Sequence, residues 1–270
     1  MGHHRVGQEE LRAAPRLRLI QQHGRGLDSV DLLAAQHAEV RVANVPGGNS
    51  VAVAEHGLAL MLALARNLRG CNKSIGNRRT GEPMGLELRG KTVVLVGLGA
   101  VGTEFAQMAA ALRLRVLAIR SNVAKGSPVP LDFLGGPEHL TSILGEADFV
   151  VLLATLTPAT LAMFDHNCFG LMKKSTFLIN LGRAALVDRA ALQSALERRA
   201  IAGAASDVFW NEPAEPGDPL LALDNFILTP HVAGFTDNSV AHIATEVTSN
   251  IARLRNGEPL ANLAVCEIIR

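Results

Sequence analysis

Three short stretches late in the chain carry side chains suited to moving protons and charge: Asn180-Leu181-Gly182-Arg183, Asp207-Val208-Phe209-Trp210-Asn211-Glu212 and Thr229-Pro230-His231-Val232-Ala233-Gly234. Each follows an apolar run of the kind that forms a buried strand, so each sets an ionisable group just beyond a strand's carboxyl end. Open α/β sheets bind their ligands at that edge. An arginine there can grip a carboxylate through two parallel N–H···O bonds and polarise a neighbouring carbonyl. A histidine can give or take a proton near neutral pH, and a carboxylate can hold its ring. Taken singly, each residue has a plainer reading, Arg183 as a solvated charge and His231 as a structural histidine. Taken together, Arg183, Glu212 and His231 form a set able to reduce a 2-keto acid: a hydride reaching the keto carbon leaves negative charge on oxygen, which His231 can protonate.

A source of hydride is indicated upstream. Val93-Val94-Leu95-Val96 runs into Gly97-Leu98-Gly99-Ala100-Val101-Gly102. Gly97 permits a tight turn, Gly99 lets backbone approach a pyrophosphate, and Gly102 allows close packing of helix on strand. Ala100 and Val101 open the helix, whose unpaired N–H groups and positive dipole end face the phosphates. Alone, this spacing is often just a flexible turn; after a strand and before a helix it predicts a dinucleotide site. The residue that reads the adenosine ribose is expected ~20 residues further on, at the end of the next strand. The chain has Arg120-Ser121-Asn122 there, and no acid. Arg120 with Ser121 can bind a 2′-phosphate, which favours NADP with NAD possible; a solvated surface arginine is the alternative.

The apolar pattern indicates the strands and helices that carry these residues. Residues 17–21 and 40–42 read as short strands, 28–36 as a helix, and 23–26 and 46–48 as glycine turns. Asn49 or Ser50 caps a long helix with apolar residues at Val51, Ala54, Leu58, Met61, Leu62, Ala65 and Leu68. Residues 70–85 read as an irregular crossing. Strands are then expected at 92–96, 115–119, 149–154, 176–180, 203–207 and 226–229, with a last helix at 238–254. Alternation of strand and helix predicts an α/β fold with a Rossmann-type, doubly wound parallel sheet. The domain reading is a partial substrate-binding lobe over 1–70, a dinucleotide-binding domain over 71–236, and a C-terminal helix over 237–270 that returns to the first lobe.

Composition narrows the classes. The 270 residues are 48% hydrophobic, with one Trp and no Tyr, which suits aliphatic strands under helices. A net charge of +1 without a basic face argues against nucleic acid. Cys71, Cys168 and Cys266 are too widely spaced for a metal site or disulfide framework, so a reducing, cytoplasmic setting and no metal are expected. The longest apolar stretch, 58–65, is too short to cross a bilayer, and the polar N-terminus is unlike a signal peptide. His3 and His4 read as a tag remnant or a solvated start. No internal repeat is present.

In combination the glycine loop, 180–188, 207–213 and 229–234 resemble the signature segments of the D-isomer-specific 2-hydroxyacid dehydrogenases, with glyoxylate/hydroxypyruvate reductases as the nearest type. The resemblance runs from about Leu17 to the end of the chain. It implies that Arg183, Glu212 and His231 are catalytic and that Asp207 contacts the nicotinamide carboxamide, with Thr155 and Gly234 on the coenzyme side. His23-Gly24-Arg25-Gly26 is similar to the family's substrate-carboxylate loop, which implicates Arg25 and Gly26, and 44–56 is similar to the segment carrying Asn49 into the interlobe helix. The family also implies a small 2-keto or 2-hydroxy acid as partner and a homodimer. Four departures stand out. Strand–helix units usual before Leu17 are missing, so the flavodoxin-like substrate lobe is expected to be N-terminally truncated. Arg25 replaces an apolar or aromatic residue, Leu153-Ala154-Thr155 replaces a His-x-Pro pair, and Arg120 replaces the ribose acid. Formate dehydrogenases resemble the chain less, because a Gln usually partners their His where Glu212 stands. The competing readings are a non-catalytic dinucleotide-binding regulator, as in the related corepressors, and an inactive truncated homologue.

Overall fold

The protein is described here by a computed structural model that covers residues 5–264; His3, His4 and Cys266 lie outside the described residues. The chain divides into two compact units, one running to Asn49 and resuming at Phe235, the other comprising Ser50–Gly234.

The first unit opens with α1 (Gln8–Ala13), β1 (Leu19–Gln21), α2 (Leu32–His37) and β2 (Arg41–Ala43). β1 and β2 pair in parallel, with Ile20 opposite Val42. The Asp31 side chain caps α2 by accepting from the Ala34 N–H at 2.9 Å. Leu11, Val30, Ala35, Val40 and Val42 make the unit's small core.

The second unit begins with α3 (Ser50–Ala65), which ends where the chain turns left-handed at Asn67 (φ 46°). The Asn67 side chain then caps α4 (Leu68–Gly76) by accepting from the Gly70 N–H at 3.1 Å. The single long helix expected from the apolar spacing is therefore two helices, and the first part of the expected irregular crossing is helical. The order continues β3 (Thr92–Val96), α5 (Ala100–Ala111), β4 (Arg115–Ile119), β5 (Phe133–Gly135), α6 (Leu140–Leu144), β6 (Phe149–Leu152), α7 (His166–Leu171), β7 (Phe177–Asn180), α8 (Arg189–Glu197), β8 (Gly203–Ser206), α9 (Pro219–Ala222) and β9 (Phe226–Leu228). All seven strands of this unit pair in parallel in the order β5-β4-β3-β6-β7-β8-β9. The chain builds outward from β3 in one direction and returns to build from β6 in the other, which makes the gap between them the switch point where such sheets bind ligands.

The strands are continuous apolar runs because helices cover both faces. Val94, Val96, Val150 and Leu152 face one buried layer; Val93, Leu95, Phe149 and Val151 face the other. Ala54, Leu60, Met61 and Leu64 of α3 join the second layer against Phe105 of α5. That burial moves the expected boundary at residue 70 back to Asn49, since the apolar faces of α3 are satisfied inside the second unit.

The last helix, α10 (Asp237–Asn256), starts on a Thr236 cap and ends at Gly257 in the left-handed region (φ 73°). It belongs to the first unit. Its buried Asn250 donates to Gln21 Oε1 at 2.8 Å, and Ala264 N–H donates to the Val42 carbonyl at 2.8 Å. Among the described residues no single helix is long and apolar enough to cross a membrane; α3 and α4 reach that length only as a pair bent by 47°.

Candidate active site

Because the sheet is parallel throughout, the loops after β3, β4, β6, β7, β8 and β9 all leave from one edge, and the chemistry-bearing residues of the second unit lie on them. After β3, Gly97 takes φ 111°, a conformation that disfavours any side chain. A Cβ on it would also lie 2.7 Å from the Ala154 nitrogen and the Leu153 carbonyl carbon, so the loops after β3 and β6 touch backbone to backbone. A Cβ on Gly102 would strike the Gly97 oxygen. Gly99 is the extended N-cap of α5, and Ala100 and Val101 form its first turn. This is a cradle closed to side chains and open at a helix N-terminus, the form that a pyrophosphate requires.

A cavity of about 570 Å³ adjoins it, lined by Gly99, Ala100, Thr103, Arg120, Lys125 and Ser127 among others. Arg120 follows β4; its backbone N–H donates to Gly135 at 3.0 Å and its Nη1 donates to the Gly126 carbonyl at 2.5 Å. That anchor uses one of the five guanidinium donors. Ser121 is exposed and does not line the cavity, whereas Ser127, six residues on, does. Thr155, after β6, is exposed, and its carbonyl accepts from Thr160 Oγ1 at 2.7 Å.

The loop after β7 is shaped by buried Asn180. Its Oδ1 accepts from the Gly182 N–H at 3.0 Å and its Nδ2 donates to the Arg183 carbonyl at 2.9 Å. Arg183 is half-buried, and its Nη1 donates to the Gly182 carbonyl at 2.9 Å. After β8, Asp207 is 2% exposed and Glu212 turns back toward its own loop, where Oε1 accepts from the Phe209 N–H at 2.9 Å. Trp210 Nε1 donates to the Val187 carbonyl at 3.2 Å, which fastens this loop to the segment that follows Arg183.

After β9, His231 has φ 55°, and its backbone N–H donates to the Thr229 carbonyl at 3.0 Å. A non-glycine residue held left-handed carries a strain of roughly 1–3 kcal/mol, and such residues gather at functional sites. The His231 Nδ1 lies 2.7 Å from Glu212 Oε2, so the pairing expected from the sequence is formed. Asp207 anchors the same turn, accepting from the Val232 and Ala233 N–H groups at 3.0 and 2.8 Å. Half-buried Gly234 ends it.

Arg25, Gly26 and Asn49 belong to the first unit. Arg25 is exposed and its carbonyl accepts from Asn44 Nδ2 at 2.8 Å, while the Val45 N–H donates to Gly24 at 3.3 Å, so the glycine turn after β1 is laced to the segment after β2. Gly26 lies in that turn and Asn49 in the turn before α3. One participant is absent from the sequence reading: His56 of α3 lies 2.9 Å from Thr229 Oγ1. A histidine inside an apolar helix has no local signature, and nothing in its spacing marks it.

Comparison with known proteins agrees with this geometry. Residues 58–233 match the family model described as D-isomer specific 2-hydroxyacid dehydrogenase, NAD binding domain. A D-3-phosphoglycerate dehydrogenase from Archaeoglobus fulgidus is 35% identical over 265 residues, covering 96% of this chain and 49% of the relative. The chain thus spans about half the length of that relative. A glyoxylate reductase from Aeropyrum pernix is 33% identical over 275 residues, covering 98% of this chain and 82% of the relative. A crystal structure of a Thermus thermophilus protein superposes with a TM-score of 0.88 at 34% identity, covering 97% of this chain and 83% of that one.

Proposed function

The chain belongs to the D-isomer specific 2-hydroxyacid dehydrogenase family, and on that premise we propose that it interconverts a small 2-keto acid and its D-2-hydroxy acid with NADP(H). The observation that carries the reading is the 2.7 Å contact between His231 Nδ1 and Glu212 Oε2 at the ligand-binding edge of a parallel sheet. The coenzyme, when bound, supplies or accepts the hydride. Gly97, Gly99 and Gly102 let the backbone approach its pyrophosphate, and the first turn of α5, with Ala100 and Val101, presents N–H groups to it. Thr155 and Gly234 border the coenzyme from the loops after β6 and β9, and Asp207 accepts from the nicotinamide amide.

Glu212 orients the His231 ring through Nδ1, so Nε2 is the atom that exchanges a proton with the substrate oxygen. Arg183 binds the substrate carboxylate in a forked pair and polarises the adjacent carbonyl. The family resemblance of 23–26 and 44–56 assigns Arg25, Gly26 and Asn49 to substrate binding. Glyoxylate and hydroxypyruvate fit a reductive, NADP-linked enzyme, and the relatives named glyoxylate reductase support that choice. Preference for NADP rests on Arg120, Lys125 and Ser127 around one cavity, with no carboxylate among its lining residues. Ser121, next to Arg120 in sequence, is proposed as a further coenzyme contact although it does not line the cavity.

The homodimer is part of the same proposal. Leu68 and Ile75, two turns apart on α4, are 54% and 74% exposed, and Met84 is 93% exposed, an apolar set that a second copy would cover. A cytoplasmic setting is proposed with it, on the wide spacing of the three cysteines in the sequence. The test is oxidation of NADPH and NADH in the presence of glyoxylate, hydroxypyruvate, pyruvate and longer 2-keto acids. Reduction of at least one with preference for NADPH is expected. Tight coenzyme binding without turnover of any keto acid would make the protein a dinucleotide-binding regulator instead.

A further inference from the structure

The carboxylate of Asp207 is held from several sides. Oδ1 accepts from Thr229 Oγ1 at 2.6 Å and from the Val232 N–H at 3.0 Å, and Oδ2 accepts from the Ala233 N–H at 2.8 Å. Thr229 has one hydroxyl proton, and the short bond to Asp207 uses it; the 3.5 Å separation from the Ser206 carbonyl is too long to compete. The 2.9 Å contact between Thr229 Oγ1 and His56 Nε2 is then a bond in which His56 donates, which fixes the proton on Nε2. The same Nε2 is 3.6 Å from Asp207 Oδ1. Donation therefore runs in one direction, from His56 to Thr229 to Asp207, and each bond polarises the next.

The reach of His56 depends on its neighbour. A Cβ on Gly57 would lie 2.5 Å from Leu181 Cδ1 and 3.0 Å from Phe105 Cε2, so the glycine lets α3 sit close against α5 and the end of β7. An ionised carboxylate offers about four acceptor positions, and the three bonds above occupy two on Oδ1 and one on Oδ2. The position left among the described residues is on Oδ2.

We propose that His56 is a positioning residue for the coenzyme's carboxamide: through Thr229 it locks Oδ1 of Asp207, so that Oδ2 is presented to the nicotinamide amide N–H₂. This inference rests on the reading of Asp207 as the acceptor of that amide. A histidine that merely stapled α3 to β9 would influence every ligand of the site alike. One that aims Oδ2 influences only ligands that carry the amide.

The test is equilibrium binding, by fluorescence titration or calorimetry, of NADPH and of its 3-acetylpyridine analogue, in which a methyl replaces the amide nitrogen. His56→Leu and Thr229→Val are each expected to weaken NADPH binding about tenfold and the analogue less than about twofold, the scale of one hydrogen bond to a charged group. The double variant should lose little more than either single one, as members of one relay do. His56→Gln, whose amide places an N–H near the lost Nε2–H, should recover most of the affinity, and it remains informative where His56→Leu fails to fold. Equal losses for the two coenzymes, or no loss for either, overturn the role of His56. Asp207→Asn separates the two readings. If it leaves both affinities unchanged, the assignment of Asp207 falls and the relay with it; if it selectively weakens NADPH while His56→Leu and Thr229→Val do not, only the relay falls.

Discussion

The two edges of the seven-stranded sheet hold similar side chains arranged to different ends. At the amino edge, Lys173 Nζ donates to Asp148 Oδ1 at 2.8 Å while Oδ2 accepts from the Thr92 N–H at 2.9 Å, which ties the segment before β7 to the starts of β3 and β6. Arg115, which opens β4, pairs with Glu146 before β6, and Arg199 before β8 pairs with Asp224 before the neighbouring β9. Arg69 donates to the Leu223 and Phe226 carbonyls at 2.9 and 2.7 Å. These contacts fasten the strands' entering ends to one another and α4 to β9. At the carboxyl edge, Glu212 orients a histidine, Asp207 organises the turn that carries it, and Arg120 borders a cavity. Residue type does not separate the two groups, because each has arginines and acids. Strand direction does, since it decides which end a loop occupies.

The largest effect is expected at His231. Removing the imidazole should lower turnover by ~10²–10⁴-fold, the usual contribution of a positioned acid/base. Coenzyme affinity and melting temperature should stay near the wild-type values, because the ring is partly exposed and lies outside both core layers. A His231→Ala enzyme with near-normal kcat would put proton transfer elsewhere. Arg183→Lys is the next largest. It retains the charge and loses the planar fork, so kcat/KM for keto acids should fall about tenfold to hundredfold, the scale of a charged hydrogen-bond pair. Unchanged kcat/KM would remove Arg183 from the substrate site.

How much of this was legible in the sequence depends on how far apart the partners are. Gly97, Arg183, Asp207 and His231 each lie within three residues of the end of a strand, so a strand and its carboxyl end could be read off the same few residues. The 92–96 and 115–119 strands match residue for residue, because both faces are buried and the run is uninterrupted. β5 has three residues, two of them only partly buried, and gives no such run. The break at Asn67 hides inside an apolar periodicity that continues to Leu68; it depends on a left-handed residue that no local pattern demanded. Ser127 reaches the cavity only because 123–128 folds back on Arg120. His56 and Thr229 are 173 residues apart, and the pairing exists only once α3 is seated in the second unit.

Arg120 gives the carboxyl edge its effect on coenzyme choice. An acid at this strand end would repel a 2′-phosphate; here the repulsion is absent and a guanidinium stands beside Lys125 and Ser127. Hydrogen bonds to charged groups contribute on the order of 1.5–3 kcal/mol, so a tenfold to hundredfold preference for NADPH over NADH is expected. Arg120→Asp should reverse it, with the stability of the fold little changed, and added salt should weaken NADPH binding more than NADH binding. The measurement is the ratio of kcat/KM for the two coenzymes with one keto acid. A wild-type ratio that favours NADH would make Arg120 an ordinary anchor for the Gly126 carbonyl.

The smallest effect belongs to the amino edge, and its sign is opposite in kind. Burial pushes the Asp148 carboxyl up, but the hydrogen bonds from Lys173 and from the Thr92 N–H, with the charges of Lys173 and Lys91, outweigh it and hold the group below its ordinary value. A carboxyl that titrates lower in the folded chain than in the unfolded one contributes stability that is complete above the unfolded value, ~3.9, and is lost as pH falls through the folded one. Asp148→Asn should therefore lower stability at neutral pH by about 1 kcal/mol, the net scale of one such hydrogen bond. For a chain of this size that corresponds to roughly 2–4 °C in Tm. The gap between variant and wild type should hold steady from pH 7 to about 5 and close as the solution is acidified past ~4, where the wild type loses what the variant never had. Turnover of keto acid by the folded variant should match the wild type, since Asp148 lies at the opposite end of β6 from the coenzyme loops. Melting curves across that pH range, paired with one activity measurement at neutral pH, decide it. A gap that persists unchanged to the lowest pH would assign the loss to packing instead of charge. A fall in activity without a fall in Tm would mean that the two edges are not divided between holding the sheet and doing its chemistry.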